Sequence, residues 1–202
     1  YGLPASVVVV PEFTVAGEAA NGSTVSVDGE AVGTTDGYFE TTVRLEAGIN
    51  TIGVEDPDSG LSDTITVTYL PEALRQFAYI REFAGEMIVD YAEFLTGEGA
   101  NEAAREAGEI GEGETVPNDF FIRNVNPAAR GLALAEDAII YVLGFDEEGG
   151  IKPVLVERSD FESMFEGNFD PTDWYGGDPR QLPYWLIIEG ETVVQVEQQY
   201  LP

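Results

Sequence analysis

The sequence predicts a mainly β chain: an antiparallel β-sandwich over residues 1–70, followed over residues 71–202 by a mixed α+β domain, a small twisted sheet or open barrel with two short helices. Three observations predict it. Short β-branched runs recur at intervals of roughly 8 to 12 residues through the first third of the chain. Asp-Gly and Ala-Gly pairs separate those runs, as hairpins require. Beyond Tyr69-Leu70-Pro71-Glu72 the pattern changes, and Ala/Glu/Arg segments enter between apolar runs.

The elements follow in order. Ser6-Val7-Val8-Val9-Val10 is β-branched and stops at Pro11, and Phe13–Ala16 follows it. Thr24-Val25-Ser26-Val27 runs into Asp28-Gly29, a strong hairpin signal. Asp36-Gly37 opens the turn before Tyr38–Leu45, and Ala47-Gly48 precedes Asn50–Val54. Asp63–Tyr69 alternates strictly, which places Ile65, Val67 and Tyr69 on one face and the threonines on the other. In the second part, Phe77–Arg81 and Met87–Tyr91 read as strands around Ala84-Gly85, although the composition from Pro71 to Phe94 also suits a helix. The clearest helix is 98–108, with Thr96 as N-cap, acidic first turns and Gly108 at its end. Phe120–Asn124 is a strand, Ala138–Leu143 an apolar central strand and Val154–Val156 a short one. Ser159 caps a helix to Phe165 that gathers Phe161, Met164 and Phe165 on one side. Tyr184–Ile188, a Glu189-Gly190-Glu191 turn and Thr192–Val196 close the chain.

Composition narrows the chemistry. Lys and Arg number 9 against 38 Asp and Glu, a net charge of −29, and there is no Cys and no His. Absent Cys removes disulfides, thiolate nucleophiles and thiolate metal sites. Absent His removes the usual neutral-pH base and the Ser-His-Asp arrangement. The negative charge opposes binding to nucleic acid or to anionic membranes, and no apolar run reaches a membrane span. A hydrophobic content of 44% is ample for packed cores, so the charge does not signal disorder. Lys152 is the one lysine among eight arginines. Two readings of the acidity stand open: an acidic extracellular protein of a GC-rich genome, or adaptation to high salt, where screening relieves self-repulsion. The start at Tyr1-Gly2-Leu3-Pro4 reads as a mature chain after removal of a leader.

Residues 13–69 resemble the bacterial Ig-like domains found in tandem on secreted and surface proteins. The resemblance rests on Val25–Gly29, Asp36-Gly37-Tyr38-Phe39, Leu45–Ile52, Asp56, Ser59-Gly60 and the Thr-rich last strand. It implies a spacer, stalk or adhesive module in an extracellular or cell-surface setting. The remainder is loosely similar to C-terminal regions of secreted bacterial proteins of no known activity, through Phe94–Gly97, Pro117–Asn124 and Glu197–Pro202.

Five groups are candidate sites. The loop Phe169–Arg180 holds Trp174 and Tyr175 with Asp170, Asp173 and Asp178. Its rings suit a sugar face and its carboxylates suit sugar hydroxyls or Ca²⁺, while the structural alternative has Trp174 packing on the barrel and Trp185 in the core. Asp56, Asp58 and Asp63 superficially resemble a calcium loop but lack EF-hand order, and an Asp/Pro/Gly turn explains them as well. Val7, Val8, Val9 and Val10 form a strand suited to exchange between copies. Arg123 in its apolar strand calls for an ion pair with Asp119 or Glu136. Asn21-Gly22-Ser23 is a formal glycosylation sequon. Paired carboxylates occur by chance among 38, and no serine or lysine stands in a nucleophile motif, so no enzyme is expected. The expected role is a secreted, non-enzymatic structural or adhesive surface protein, in its sharper form a filament subunit assembling by strand exchange. The expected partners are further copies or other surface proteins. The alternative is a glycan- or Ca²⁺-binding module; no other cofactor is expected.

Overall fold

The computed structural model describes residues 6–20, 22–125, 128–146, 148–168 and 174–202. The chain is mainly β, 56% strand and 13% helix, and divides into two compact units, Tyr1–Ala73 and Leu74–Pro202.

The first unit holds seven described strands: β1 (Ser6–Val8), β2 (Glu12–Glu18), β3 (Thr24–Val27), β4 (Glu30–Gly33), β5 (Tyr38–Arg44), β6 (Gly48–Asp56) and β7 (Leu61–Tyr69). Five form one sheet in the order β1-β7-β6-β3-β4, with β1 parallel to β7; β2 and β5 pair antiparallel as a second, narrower sheet. One core joins them: Val15 and Phe39 from the narrow sheet meet Val25, Val27, Ile52, Ile65 and Val67 from the wide one. Alternation selects these residues, because every second side chain of a strand faces the same way. The tight turns use left-handed backbone at Asp28-Gly29 and Asp36-Gly37, where short polar side chains and glycine tolerate positive φ. Gly17 has a different reason. A Cβ there would stand 2.8 Å from the Phe39 ring, so glycine lets that ring into the core.

The second unit is a barrel. Its strands are β8 (Leu74–Ala84), β9 (Glu86–Tyr91), β10 (Glu93–Thr96), β11 (Phe120–Arg123), β12 (Ala129–Phe145), β13 (Ile151–Val156), β14 (Pro183–Glu189) and β15 (Thr192–Gln198), with helices α1 (Gly97–Glu106) and α2 (Arg158–Phe165). The hydrogen-bonded order β12-β15-β14-β8-β9 returns to β12, closing a five-stranded ring; β13 extends β12 as a hairpin outside the ring. Only the β12–β15 neighbours are parallel. The interior is apolar, with Ile80, Met87, Val89, Ile140, Leu186, Val193 and Val196 all fully buried. Each such side chain contributes about 1.5–3 kcal/mol on burial. The face of α2 carrying Phe161, Met164 and Phe165 packs into the same cluster. Tyr184 lies inside as well, its hydroxyl donating to the Pro179 carbonyl at 3.1 Å, and burial pushes the phenol far above its ordinary pKa.

Several expectations are corrected here. The strand expected at 138–143 is 17 residues long, because its first four residues, Ala129–Leu132, pair with β9 and Ala133 and Leu134 pair with β15. Ala129 and Gly131 are weak strand formers, and pairing rather than propensity holds them. The strand expected at 154–156 starts at Ile151. Trp185 is not in the core: Tyr184 takes the inward position, and Trp185 stands outside beneath the Arg75 guanidinium at 4.0 Å, donating its N–H to Gln199 Oε1 at 2.8 Å. Thr96 takes the N-cap position of α1 but makes no capping hydrogen bond. The helix ends at Glu106, and Gly108 lies just beyond in the left-handed conformation. Its buried Asn101 accepts from the Val116 amide at 2.9 Å, fastening the following loop to the helix.

Candidate functional site

The aromatic loop proposed from sequence is anchored through its backbone. Trp174 bridges to Gly144 and packs against the barrel core. The Tyr175 amide donates to the Leu143 carbonyl at 2.8 Å, and the Tyr175 carbonyl accepts from Gln198 Nε2 at 3.0 Å. The Tyr175 hydroxyl donates to the Leu201 carbonyl, and burial raises its pKa, so it stays a donor across the neutral range. Asp178 accepts from the Arg180 amide at 3.0 Å and pairs with its guanidinium at 3.2 Å, capping the short turn Pro179–Gln181. Asp170 and Asp173 lie outside the described residues.

Anchoring sets the Tyr175 ring beside two others: Tyr200 at 5.3 Å and Phe145 at 6.3 Å between centroids. Phe145 belongs to the β12–β13 hairpin, and register extends the surface along it. Gly144, Val142 and Ile140 pair with Lys152, Val154 and Val156; of these, Ile140, Val142 and Val156 belong to the core cluster and Val154 packs against it. The alternate pairs, Tyr141–Leu155, Leu143–Pro153 and Phe145–Ile151, therefore share the outer face. That face is exposed: Leu155 is 57% accessible, Tyr200 44%, Phe145 40% and Ile151 39%. On a chain of charge −29, Phe145, Ile151, Leu155 and Tyr200 are exposed apolar side chains about the buried Leu143. Sequence reasoning missed that face by starting the strand at Val154 rather than at Ile151. The available signal was that Ile151–Val156 is apolar at every position but Lys152, more than an edge strand needs on its inner side alone.

The edge of β13 is protected. The Asp146 amide donates to the Gly150 carbonyl, so alternation makes Gly144–Lys152 a hydrogen-bonded pair and turns the Pro153 nitrogen to the free edge. A proline and the chain's single lysine on that edge disfavour the addition of another strand.

The remaining candidates are placed as follows. In the 56–63 turn, Asp56 Oδ1 accepts from the Asp58 amide at 3.0 Å and Oδ2 from the Ser59 hydroxyl at 2.7 Å. That hydroxyl bond chiefly holds the Asp56 carboxyl below its ordinary pKa. Asp63 caps its own neighbour, accepting from the Thr64 amide at 2.7 Å. Among the described residues no three acidic side chains gather as a metal ion would require. Of Val7–Val10, only Val7 and Val8 are in β1, paired in parallel with Thr68 and Tyr69; Val9 and Val10 lie past the strand, and Val10 is 54% exposed. Asn21 of the sequon lies outside the described residues.

Arg123 pairs with Glu93 at 2.5 Å and Glu106 at 3.5 Å rather than with Asp119 or Glu136. The pairing of β10 with β11 sets Glu93 opposite Arg123, a neighbour that sequence distance hides. The guanidinium holds the Glu93 carboxyl below its ordinary range. One polar group escaped the sequence reading. Asp90, 6% exposed, accepts through Oδ2 from Arg81 at 2.8 and 3.2 Å and from Asn124 Nδ2 at 2.9 Å. Arg81 also donates to the Arg180 carbonyl and lies 4.4 Å over the Tyr79 ring. The group is a brace across the barrel wall, with Asp90 Oδ1 buried and unpartnered.

Comparison with known proteins returns no family model that matches the chain and no curated protein that matches it.

Proposed function

We propose that the chain is a secreted, non-enzymatic surface protein of structural or adhesive kind, acting through association with further copies of itself. The observation that supports this best is the exposed apolar face of Phe145, Ile151, Leu155 and Tyr200 on an otherwise acidic chain. A face that costs solubility has a use when it is covered by another molecule. The architecture fits the same reading. A five-stranded sheet against a two-stranded one, with the first strand parallel to the last, is the arrangement we read as Ig-like. Numbered within the ring, the barrel runs 1-2-3-5-4-1 with a helix between strands 3 and 4, the order of an OB-type barrel. Both are scaffolds on which binding faces are carried among many other functions.

The test is a double substitution, Phe145→Ser with Leu155→Ser. Both side chains are exposed, so the melting temperature stays within a few degrees while the association constant falls at least tenfold. Undiminished association in the double variant removes this face from the account. A second reading, a neutral-glycan module, draws on the Tyr175–Tyr200 ring pair. It requires tyrosine fluorescence to change on titration with neutral oligosaccharides, and a flat titration eliminates it.

A further inference from the structure

The barrel unit carries a recess of about 660 Å³ where the chain returns from α1 to β11. Ile110, Val116, Phe120 and Phe121 give it apolar walls. Val116 lies in the small core of α1, and Ile110 and Phe121 pack against that core. The exposed Glu109 and Glu114 complete the lining. Two hydrogen bonds hold the loop that shapes the recess: the Val116 amide donates to Asn101 Oδ1 at 2.9 Å, and the Gly111 amide to Glu114 Oε2 at 2.6 Å. The nearby cations are engaged elsewhere. Arg105 pairs with Glu98, and Arg123 with Glu93 and Glu106. No ion pair among the described residues reaches Glu109, Glu112 or Glu114. Apolar walls beside uncompensated carboxylates select a cation with an apolar stem, because the walls focus the field and the stem covers the walls.

The chain holds such a group. Lys152 is its single lysine and is exposed, one register pair from the end of the β12–β13 hairpin. Among the described residues it makes no ion pair and no ring contact. The barrel arginines differ: six hold a carboxylate or a carbonyl, and Arg130 lies over the Tyr91 ring at 5.6 Å. Beside Lys152, Ile151 and its partner Phe145 are apolar and exposed, so the end of the hairpin offers a cation together with apolar surface. A compact ammonium on a flexible four-carbon stem enters a walled recess more readily than a planar guanidinium.

We propose that the recess between α1 and β11 receives Lys152 of a second copy of this chain, its ammonium on Glu109 and Glu114 and its stem along the apolar walls. The hairpin of one copy then enters the recess of the next, a head-to-tail contact that repeats into a fibre. A pair enclosed by apolar walls is screened much less than exposed charges, so it persists at salt that relieves the repulsion between copies. The inference rests on the self-association proposed above and assigns it a specific contact. Glu109→Lys tests it, because net charge alone predicts the opposite result: the substitution makes each copy less negative and eases repulsion. Glu30→Lys, exposed on β4, makes the same charge change in the other unit. Lys152→Glu removes the cation while keeping a charge on the β13 edge. All three side chains are exposed, and a melting curve of each variant confirms folding. Sedimentation velocity in molar salt then compares them. The expected result is association at least tenfold weaker for Glu109→Lys and for Lys152→Glu, no loss for Glu30→Lys, and recovery of most of the loss when Glu109→Lys and Lys152→Glu are combined in one chain. If Glu109→Lys associates as tightly as Glu30→Lys while Phe145→Ser with Leu155→Ser weakens association, the recess is overturned and self-association stands. If the chain is monomeric throughout, both are overturned, and binding of a lysine-rich peptide to that monomer gives the recess to a foreign partner.

Discussion

At the scale of single residues, the molecule's rare cations explain much of its order. Seven of the eight arginines lie in the barrel unit, and six of those seven hold a carboxylate or a backbone carbonyl. Arg158 donates to the Leu134 carbonyl at 2.7 Å, and Arg180 donates to that of Phe165. Planar, many-donor guanidinium suits such bracing, which gives arginine a use here that lysine does not share. The Arg81–Asp90 pair yields an asymmetric prediction. Asp90 is 8% exposed at its side chain and Arg81 42%. Arg81→Met strands a buried carboxylate and costs about 2–4 kcal/mol, whereas Asp90→Asn leaves a cation that water can reach and costs about 1 kcal/mol. Chemical denaturation of both variants checks the order, and equal losses contradict it. Gly17→Ala pushes a methyl group into the Phe39 ring and costs about 1–3 kcal/mol by the same assay. Tyr184 gives a pH prediction. Its folded pKa is raised by burial, so its contribution is full below the unfolded value near 10 and is lost as pH rises beyond it, when the unfolded chain ionises first. Tyr184→Phe therefore loses stability less steeply above pH 10 than the parent. Little of this was legible beforehand: Arg123 finds Glu93 through strand pairing 30 residues apart, which spacing along the chain does not encode.

At the scale of elements, periodicity revealed more. The strict alternation of Asp63–Tyr69 identified a strand and its inner face, and Ile65 and Val67 are buried. Phe161, Met164 and Phe165 gave the packed side of α2. Where the reading failed, partners decide the structure. Ala129–Leu132 has little strand preference, yet ring closure against β9 recruits it. The exposed apolar face was only half legible, since Tyr175 is visible in sequence but its approach to Phe145 and Tyr200 depends on the fold. The β13 edge supports its own prediction. Restoring the donor with Pro153→Val and removing charge with Lys152→Thr opens that edge, so light scattering of the double variant rises within hours under conditions where the parent stays clear. Unchanged scattering contradicts the protective role of these two residues.

At the scale of the whole molecule, 38 carboxylates against 9 cations dominate. Self-repulsion opposes both compaction and association, and its range shortens from about 30 Å at 0.01 M salt to about 3 Å at 1 M. Melting temperature should therefore rise with salt, and a flat profile contradicts that account of the charge. On the proposed reading, the same repulsion decides whether the apolar face is free or covered. The most direct measurement is sedimentation velocity of the unmodified chain in molar sodium chloride over a hundredfold range of concentration. The account predicts a sedimentation coefficient that climbs with concentration, returns on dilution and falls back to that of a monomer at low salt. A single 21.8 kDa species throughout contradicts the claim that this chain works by associating with itself.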